Sequence, residues 1–418
     1  MDKHPRKIQF ENLWGLLKNK REKEPSPFYT LKATKLRSSL LGKLFRRAYQ
    51  KDSIVAWRSS FVPSEILYAL DVIPFAPESI ISMFANAHLT DDILKIAEDR
   101  ECSRDTCSFL RGIIGSVVNN YMPMPDFLIA TSLYCHGSAQ VFSGLSKRYG
   151  KEFLYIDVPY HYDRSYTIDY VARQIEDIVK KISDRTGKKL DIDKLRQAMA
   201  YSNQARDYYV KVNELRKSKP TPMLGGEAID YSIILAHTFG SPEMVEICKS
   251  LYEELKERVD RGFSPVGEER HRILWRQLRP YYTNELFQYV EFTHKASVSI
   301  EEVNSVYWDE MDIRKPFKEL AKKLLMNPPF GPYDRWLKHT MKMVNDHRID
   351  GIIEFAHWGC RFLTASTQML KEALEDQNIP ILVIDGDCID RRDYSDGQIK
   401  TRIDAFVEIL NRKKESRK

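Results

Sequence analysis

The residues with the most chemical scope in this chain are its six cysteines: Cys102, Cys107, Cys135, Cys248, Cys360 and Cys388. A thiolate is a nucleophile or a metal ligand, whereas a thiol packs as a small hydrophobe. A disulfide framework is not expected in a cytoplasmic chain of 418 residues. Position must therefore separate the roles. Cys135 directly follows the strand expected at Phe127–Thr131, and Cys360 directly follows the one expected at Gly351–Phe355. In open parallel sheets, ligands bind beyond the carboxyl ends of the strands. If two such sheets face each other, the two sulfurs meet across a cleft. Gly137 and Gly359 stand beside them, where a missing Cβ would let backbone approach a bulky inorganic group. Cys107 lies in Asp105-Thr-Cys-Ser-Phe109, ahead of the helical run Leu110–Val118. There the helix dipole favours a thiolate.

Three cysteines at separate places suit an iron–sulfur cluster with one open or non-cysteine iron, since zinc more often uses close-spaced pairs. The competing reading is three buried cysteines near strand ends. Cys102 and Cys107 form a C-x4-C pair, a weak signal. Cys248 falls in the amphipathic stretch Met244–Leu255 and reads as core, and Cys388 reads as packing after a strand. His136 and His357 flank the candidate site and are expected to be hydrogen-bonded structural histidines. The sequence contains no Gly-x-Gly-x-x-Gly, Gly-x-x-x-x-Gly-Lys or Gly-x-Ser-x-Gly motif. Dinucleotide binding, autonomous ATP hydrolysis and a serine-hydrolase elbow are thus not indicated.

The elements that must position these residues are legible as a pattern. Short apolar runs at Ile54–Trp57, Phe127–Thr131 and Phe153–Ile156 read as buried strands, and Ile168–Ile182 as an amphipathic helix. Strand signals return at Arg272–Trp275, Ser297–Val303, Gly351–Phe355 and Ile381–Ile384. Strand alternating with helix predicts an α/β fold of two similar parallel-sheet, Rossmann- or flavodoxin-like domains. The expected organisation is an N-terminal helical segment 1–50, a first α/β domain 51–190, a helical connection 191–265 and a second α/β domain 266–418. Leu36, Leu40, Leu41, Leu44, Phe45 and Ala48 share one face of the N-terminal segment, after a linker marked by Pro25 and Pro27. Loops are expected at Pro220–Gly226 and around Pro328–Pro332.

The two halves repeat each other. Phe153-Leu-Tyr-Ile-Asp157 matches Ile381-Leu-Val-Ile-Asp385, and Arg164 and Tyr166 recur at the same offsets as Arg392 and Tyr394. Asp126 and Asp350 introduce the strands that lead to Cys135 and Cys360. An old duplication is the reading.

Hydrophobic residues make up 43% and charged residues 30% of the chain, as in an ordinary globular protein. No run reaches the ~20 apolar residues of a membrane helix, so no membrane association and a cytoplasmic location are expected. The net charge of +6 is spread out apart from Lys18–Lys23 and Arg412–Lys418. No nucleic-acid-binding signature accompanies it.

At these residues the chain resembles the 2-hydroxyacyl-CoA dehydratase / benzoyl-CoA reductase subunit family, from about Ser53 to Leu410. The supporting segments are Ser60-Phe-Val-Pro-Ser-Glu65, Asp105-Thr-Cys-Ser-Phe109, Met124-Pro-Asp-Phe-Leu128, Ile156-Asp-Val-Pro159, Leu190-Asp-Ile-Asp-Lys-Leu195, Asp350-Gly-Ile-Ile353, Gly359-Cys-Arg361 and Asp387–Phe406. The resemblance implies a 4Fe-4S cluster on Cys107, Cys135 and Cys360 and a dimer with a sister subunit. It also implies an acyl-CoA substrate and a separate ATP-dependent activator iron–sulfur protein that injects one electron. In dehydratases of this kind the electron makes a ketyl radical of the thioester, which acidifies the β-hydrogen before the hydroxyl leaves. Ring reduction of benzoyl-CoA, a double-cubane-type small-molecule reductase and a non-catalytic partner subunit are the alternatives. Glu65 is the expected acid/base or hydroxyl-contacting residue, with Ser60 as a substrate-binding neighbour. Equally, Glu65 suits the first turn of a helix Ser64–Leu70. The family often has glycine where this chain has Asp71, so a different turn is expected there.

Overall fold

A computed structural model describes residues 5–18, 31–232 and 238–416. The expected linker at Pro25 and Pro27, and most of the basic stretch Lys18–Lys23, lie outside the described residues. Two four-stranded parallel sheets form the frame. The first holds β1 (Val55–Arg58), β2 (Ile73–Phe75), β3 (Phe127–Thr131) and β4 (Glu152–Ile156) in the order β2-β1-β3-β4. The second holds β5 (His271–Gln277), β6 (Ala296–Glu301), β7 (Gly351–His357) and β8 (Ile381–Gly386) in the order β6-β5-β7-β8. Both sheets carry helices, and every neighbouring pair is parallel. The two orders are the same order, as the repeat in the sequence requires.

The central strands are continuous apolar or paired-polar runs because both faces are covered. Every residue of β1, β3, β5 and β7 is buried. The aspartate before each third strand performs one task twice. The Asp126 carboxylate accepts the Val55 N–H at 2.8 Å, and its own N–H donates to the Val55 carbonyl. Asp350 makes the same pair of bonds with Arg272, its carboxylate accepting at 2.9 Å. Each aspartate thereby sets the register between the first and third strands of its sheet. Helices Thr167–Thr186 and Asp396–Glu415 follow β4 and β8 in matching positions.

Several expectations are refined. β2 carries no sequence signal: it is a three-residue edge strand, too short to show a period. The strand expected at Ser297–Val303 ends at Glu301 and passes into a tight turn at Glu302–Asn304. A short helix at Gly225–Ala228 begins inside the expected loop Pro220–Gly226. Gly225 is required there, since a Cβ would lie 2.3 Å from Cβ of Val298. The second pair of repeated residues diverges: Arg164 and Tyr166 are exposed, whereas Arg392 bonds Glu98 and Asp390. Asp71 takes φ +51°, the left-handed conformation that glycine adopts most easily, so the turn a glycine would make is kept.

Helices Ile192–Leu215 and Pro242–Asp260 share the apolar core of the first sheet, Cys248 among them. A second core joins residues of both sheets, including Trp57, Leu128, Trp275 and Phe355. Among the described residues, no helix is long and apolar enough to cross a membrane.

Candidate functional site

Three helices start at the three cysteines. Cys107 immediately precedes Ser108–Val118, Cys135 precedes His136–Tyr149, and Cys360 precedes the short helix Arg361–Thr364. Cys135 and Cys360 stand in equivalent places beyond β3 and β7, as the repeat predicts. Cys107 comes from the long excursion between β2 and β3 and is carried to the second sheet by polar ties. The Ser108 hydroxyl donates to Asp387 at 2.6 Å, and Asp387 also accepts the N–H groups of Ile389 and Asp390. Arg111, fully buried, pairs with Asp390 at 3.2 Å and also with Glu98.

All three cysteines line one cavity of about 330 Å³ between the sheets. Cys102 and Cys248 do not line it, and Cys388 is buried behind His357. Burial pushes all three lining thiols up from the ordinary cysteine value. The neighbouring Cys135 and Cys360 add to the rise at Cys107. Among the described residues, no group of three His, Cys, Asp or Glu is gathered tightly enough to hold a single metal ion.

The two glycines also have a packing reason. A Cβ on Gly359 would lie 2.8 Å from Cα of Cys107, and one on Gly137 would lie 2.4 Å from the Leu110 side chain. They let the excursion carrying Cys107 close onto the other two cysteines.

His357 lines the cavity and touches Cys107, its Nε2 lying 3.3 Å from Sγ. Its Nδ1 accepts the Cys388 N–H at 3.3 Å. Burial lowers its pKa, opposed by the charge of Asp387, whose carboxylate lies 3.9 Å from Nδ1. His136 is exposed and does not line the cavity.

Ser60 lines the cavity, as do Ser59 and Ser64. Glu65 does not. Its carboxylate is fully buried, accepting from Ser202 and from Lys323, each at 2.8 Å, and Lys323 is the partner that reaches the cavity. The helix-opening position expected for Glu65 is the one it occupies.

The carboxyl that lines the cavity beside the cysteines is Glu78, in the first turn of the helix Pro77–Asn86. The Ser138 hydroxyl donates to its Oε1 at 2.7 Å and also lies 3.2 Å from Cys135 Sγ. Burial raises the Glu78 pKa, opposed by the Ser138 bond, its own backbone and Arg58. Its Oε2 has no hydrogen-bond partner among the described residues. A carboxyl whose pKa is raised at a cavity wall is suited to exchanging a proton there. Sequence reasoning missed it because its only local signal, an acidic first turn after proline, is common to many helices.

Residues 59–410 match the family described as 2-hydroxyglutaryl-CoA dehydratase, D-component. Among curated relatives, the chain is 26% identical to the (R)-phenyllactyl-CoA dehydratase alpha subunit of Clostridium sporogenes, over 88% of this chain and 92% of that one. It is 25% identical to the (R)-2-hydroxyisocaproyl-CoA dehydratase alpha subunit of Clostridioides difficile, over 88% and 93%. It is also 24% identical to a benzoyl-CoA reductase subunit of Thauera aromatica, over 91% and 94%. With residues 59–410 matched, most of its length and all of the second sheet, the chain belongs to the 2-hydroxyglutaryl-CoA dehydratase D-component family.

Proposed function

We propose that this chain is one subunit of a cytoplasmic (R)-2-hydroxyacyl-CoA dehydratase, a lyase, and that Cys107, Cys135 and Cys360 hold a 4Fe-4S cluster. The observation that carries the reading is the meeting of three helix-start cysteines on one cavity that also holds a buried carboxyl. The donor set fits the group: thiolate is the ligand iron–sulfur clusters use, and three helix N-termini favour negative sulfur. Bound there, the cluster supplies a one-electron donor and an iron able to polarise an oxygen.

The chain's own residues do the rest. The net reaction takes the hydroxyl from C2 and a proton from C3 of the acyl thioester, leaving an enoyl thioester and water. Glu78 gives its proton to the departing hydroxyl, and the carboxylate so formed takes the proton from C3, returning Glu78 to its starting state. Ser138 fixes the carboxyl beside Cys135. Ser60 offers its hydroxyl to the substrate from the wall formed beyond β1. The alpha-subunit names of the relatives support assembly with a sister subunit. A separate ATP-hydrolysing activator completes the system.

Ring reduction of an aryl-CoA is the second reading, favoured by the match to the Thauera protein. Anaerobic co-purification with the sister chain and activator, followed by product analysis, separates the two. An enoyl-CoA from a 2-hydroxyacyl-CoA supports dehydration, and a dienoyl product from benzoyl-CoA supports reduction. Absence of iron from anaerobically prepared protein refutes both.

A further inference from the structure

Much of the cavity wall is ring and hydrocarbon: Phe61, Tyr134, Phe239, Tyr307, Trp308 and Leu324 all line it. Among the described lining residues a single side chain carries a fixed positive charge, Lys323. That charge is already committed. Lys323 Nζ donates to Glu65 at 2.8 Å and lies 4.7 Å and 4.9 Å from the ring centroids of Phe239 and Trp308. Glu65 is entirely buried, so its charge is matched by Lys323 rather than by water. The lining histidines are engaged as well. His357 contacts Cys107 and Cys388, and His339 bonds the Ser305 hydroxyl at 2.8 Å. The carboxyl groups in the wall belong to Glu78 and Glu302, both acidic.

A carboxylate brought into this space would lose its hydration and find no unengaged cation among the described residues. An aromatic or branched aliphatic group has no such loss, and gains apolar burial and ring contacts. We infer that the acyl group this cavity takes is uncharged and apolar, and that the Glu65–Lys323 pair is the device that excludes an acyl chain ending in a carboxylate. The inference rests on the acyl-thioester reading above. It gives Glu65 a role in specificity, acting through Lys323 without touching substrate.

The test is equilibrium binding by calorimetry to the complete, anaerobically prepared enzyme. The probes, 3-phenylpropionyl-CoA and glutaryl-CoA, lack the 2-hydroxyl and so do not turn over. The unaltered enzyme is expected to bind the phenyl thioester on the order of 100-fold more tightly, the scale of leaving a buried charge unpaired. Glu65→Gln keeps the shape and releases the ammonium, so glutaryl-CoA binding should tighten by about 10-fold, the size of one charge-assisted contact. The double variant Glu65→Gln/Lys323→Met, neutral at both positions, should lose that gain and keep phenyl thioester binding. Equal affinity of the unaltered enzyme for both probes overturns the inference, and this comparison needs no variant. An equal gain in the double variant overturns the role of the pair. If neither thioester binds better than free CoA, the acyl-thioester reading falls and takes the inference with it.

Discussion

Cys107, Cys135 and Cys360 each sit one residue before a helix, yet only two of them owe their place to the sheets. Cys135 and Cys360 occupy duplicated strand ends, and this much was legible from the apolar runs before them. Cys107 is held by contacts across the molecule, Ser108 to Asp387 and Arg111 to Asp390, that no local pattern announces. Cys135→Ala and Cys360→Ala should each abolish the cluster, while Cys248→Ala, a helix-core change, should leave it intact. Iron analysis of anaerobic preparations checks this, and full iron in either of the first two variants sinks the ligand assignment. Glu78 is the residue sequence reasoning passed over. It stands in the first turn of the helix after a three-residue edge strand, where Ser138 joins it to Cys135. Glu78→Gln should lower turnover by ~10²–10⁴-fold, the usual contribution of a general acid–base. Its iron content should not change; a variant with undiminished turnover would remove Glu78 from the proton steps. Glu65 was visible as a helix opener, but its partner Lys323 lies 258 positions along the chain. A tertiary pairing of that kind leaves no trace in spacing.

At the scale of elements, the repeat was the most informative feature of the sequence, because identical topology demands identical devices. The aspartate before β3 and the one before β7 both clamp the first strand of their own sheet. Asp350→Ala strips a charged acceptor from a part-buried N–H and should cost ~1.5–3 kcal/mol. Urea unfolding would register it as a lower midpoint, and an unchanged midpoint would mean the clamp is dispensable. The buried strands β1, β3, β5 and β7 were readable because each is apolar on both faces or carries paired polar groups. Arg276 in β5, for example, meets Glu354 in β7 at 2.5 Å. β2 and the turn that ends β6 were not readable, being too short to show a period. The repeat also has limits: Arg164 and Arg392 share an offset but not an environment, because Arg392 alone is placed against Glu98 and Asp390.

At the scale of the molecule, the central helices are tied to the second sheet by fully buried charge. Arg216, at the end of Ile192–Leu215, pairs with Glu301 of β6 at 2.7 Å, and Arg272 of β5 donates to the Arg216 carbonyl. His347 is buried beside them. Burial first, then Arg216, Lys217 and Arg272, depress its imidazole to about 3. The unfolded chain takes up that proton near pH ~6.5, the folded chain only near pH 3. The stability involved is therefore complete above about pH 6.5 and is lost as pH falls towards the folded value. The urea midpoint should drop on acidification through that window, and His347→Gln should flatten the drop. Identical slopes for the two proteins would exclude His347 as the source.

The division of the cysteines between the two sheets also bears on how the protein matures. More than half of the chain lies between Cys135 and Cys360. A nascent polypeptide leaving the ribosome thus displays Cys107 and Cys135 long before the third sulfur exists, and Gly359 must then close against the backbone of Cys107. If the three thiols hold the proposed cluster, its insertion is a late event that waits for the second sheet to dock, and a truncated translation product, however well its first sheet folds, has only two of the three thiols to offer.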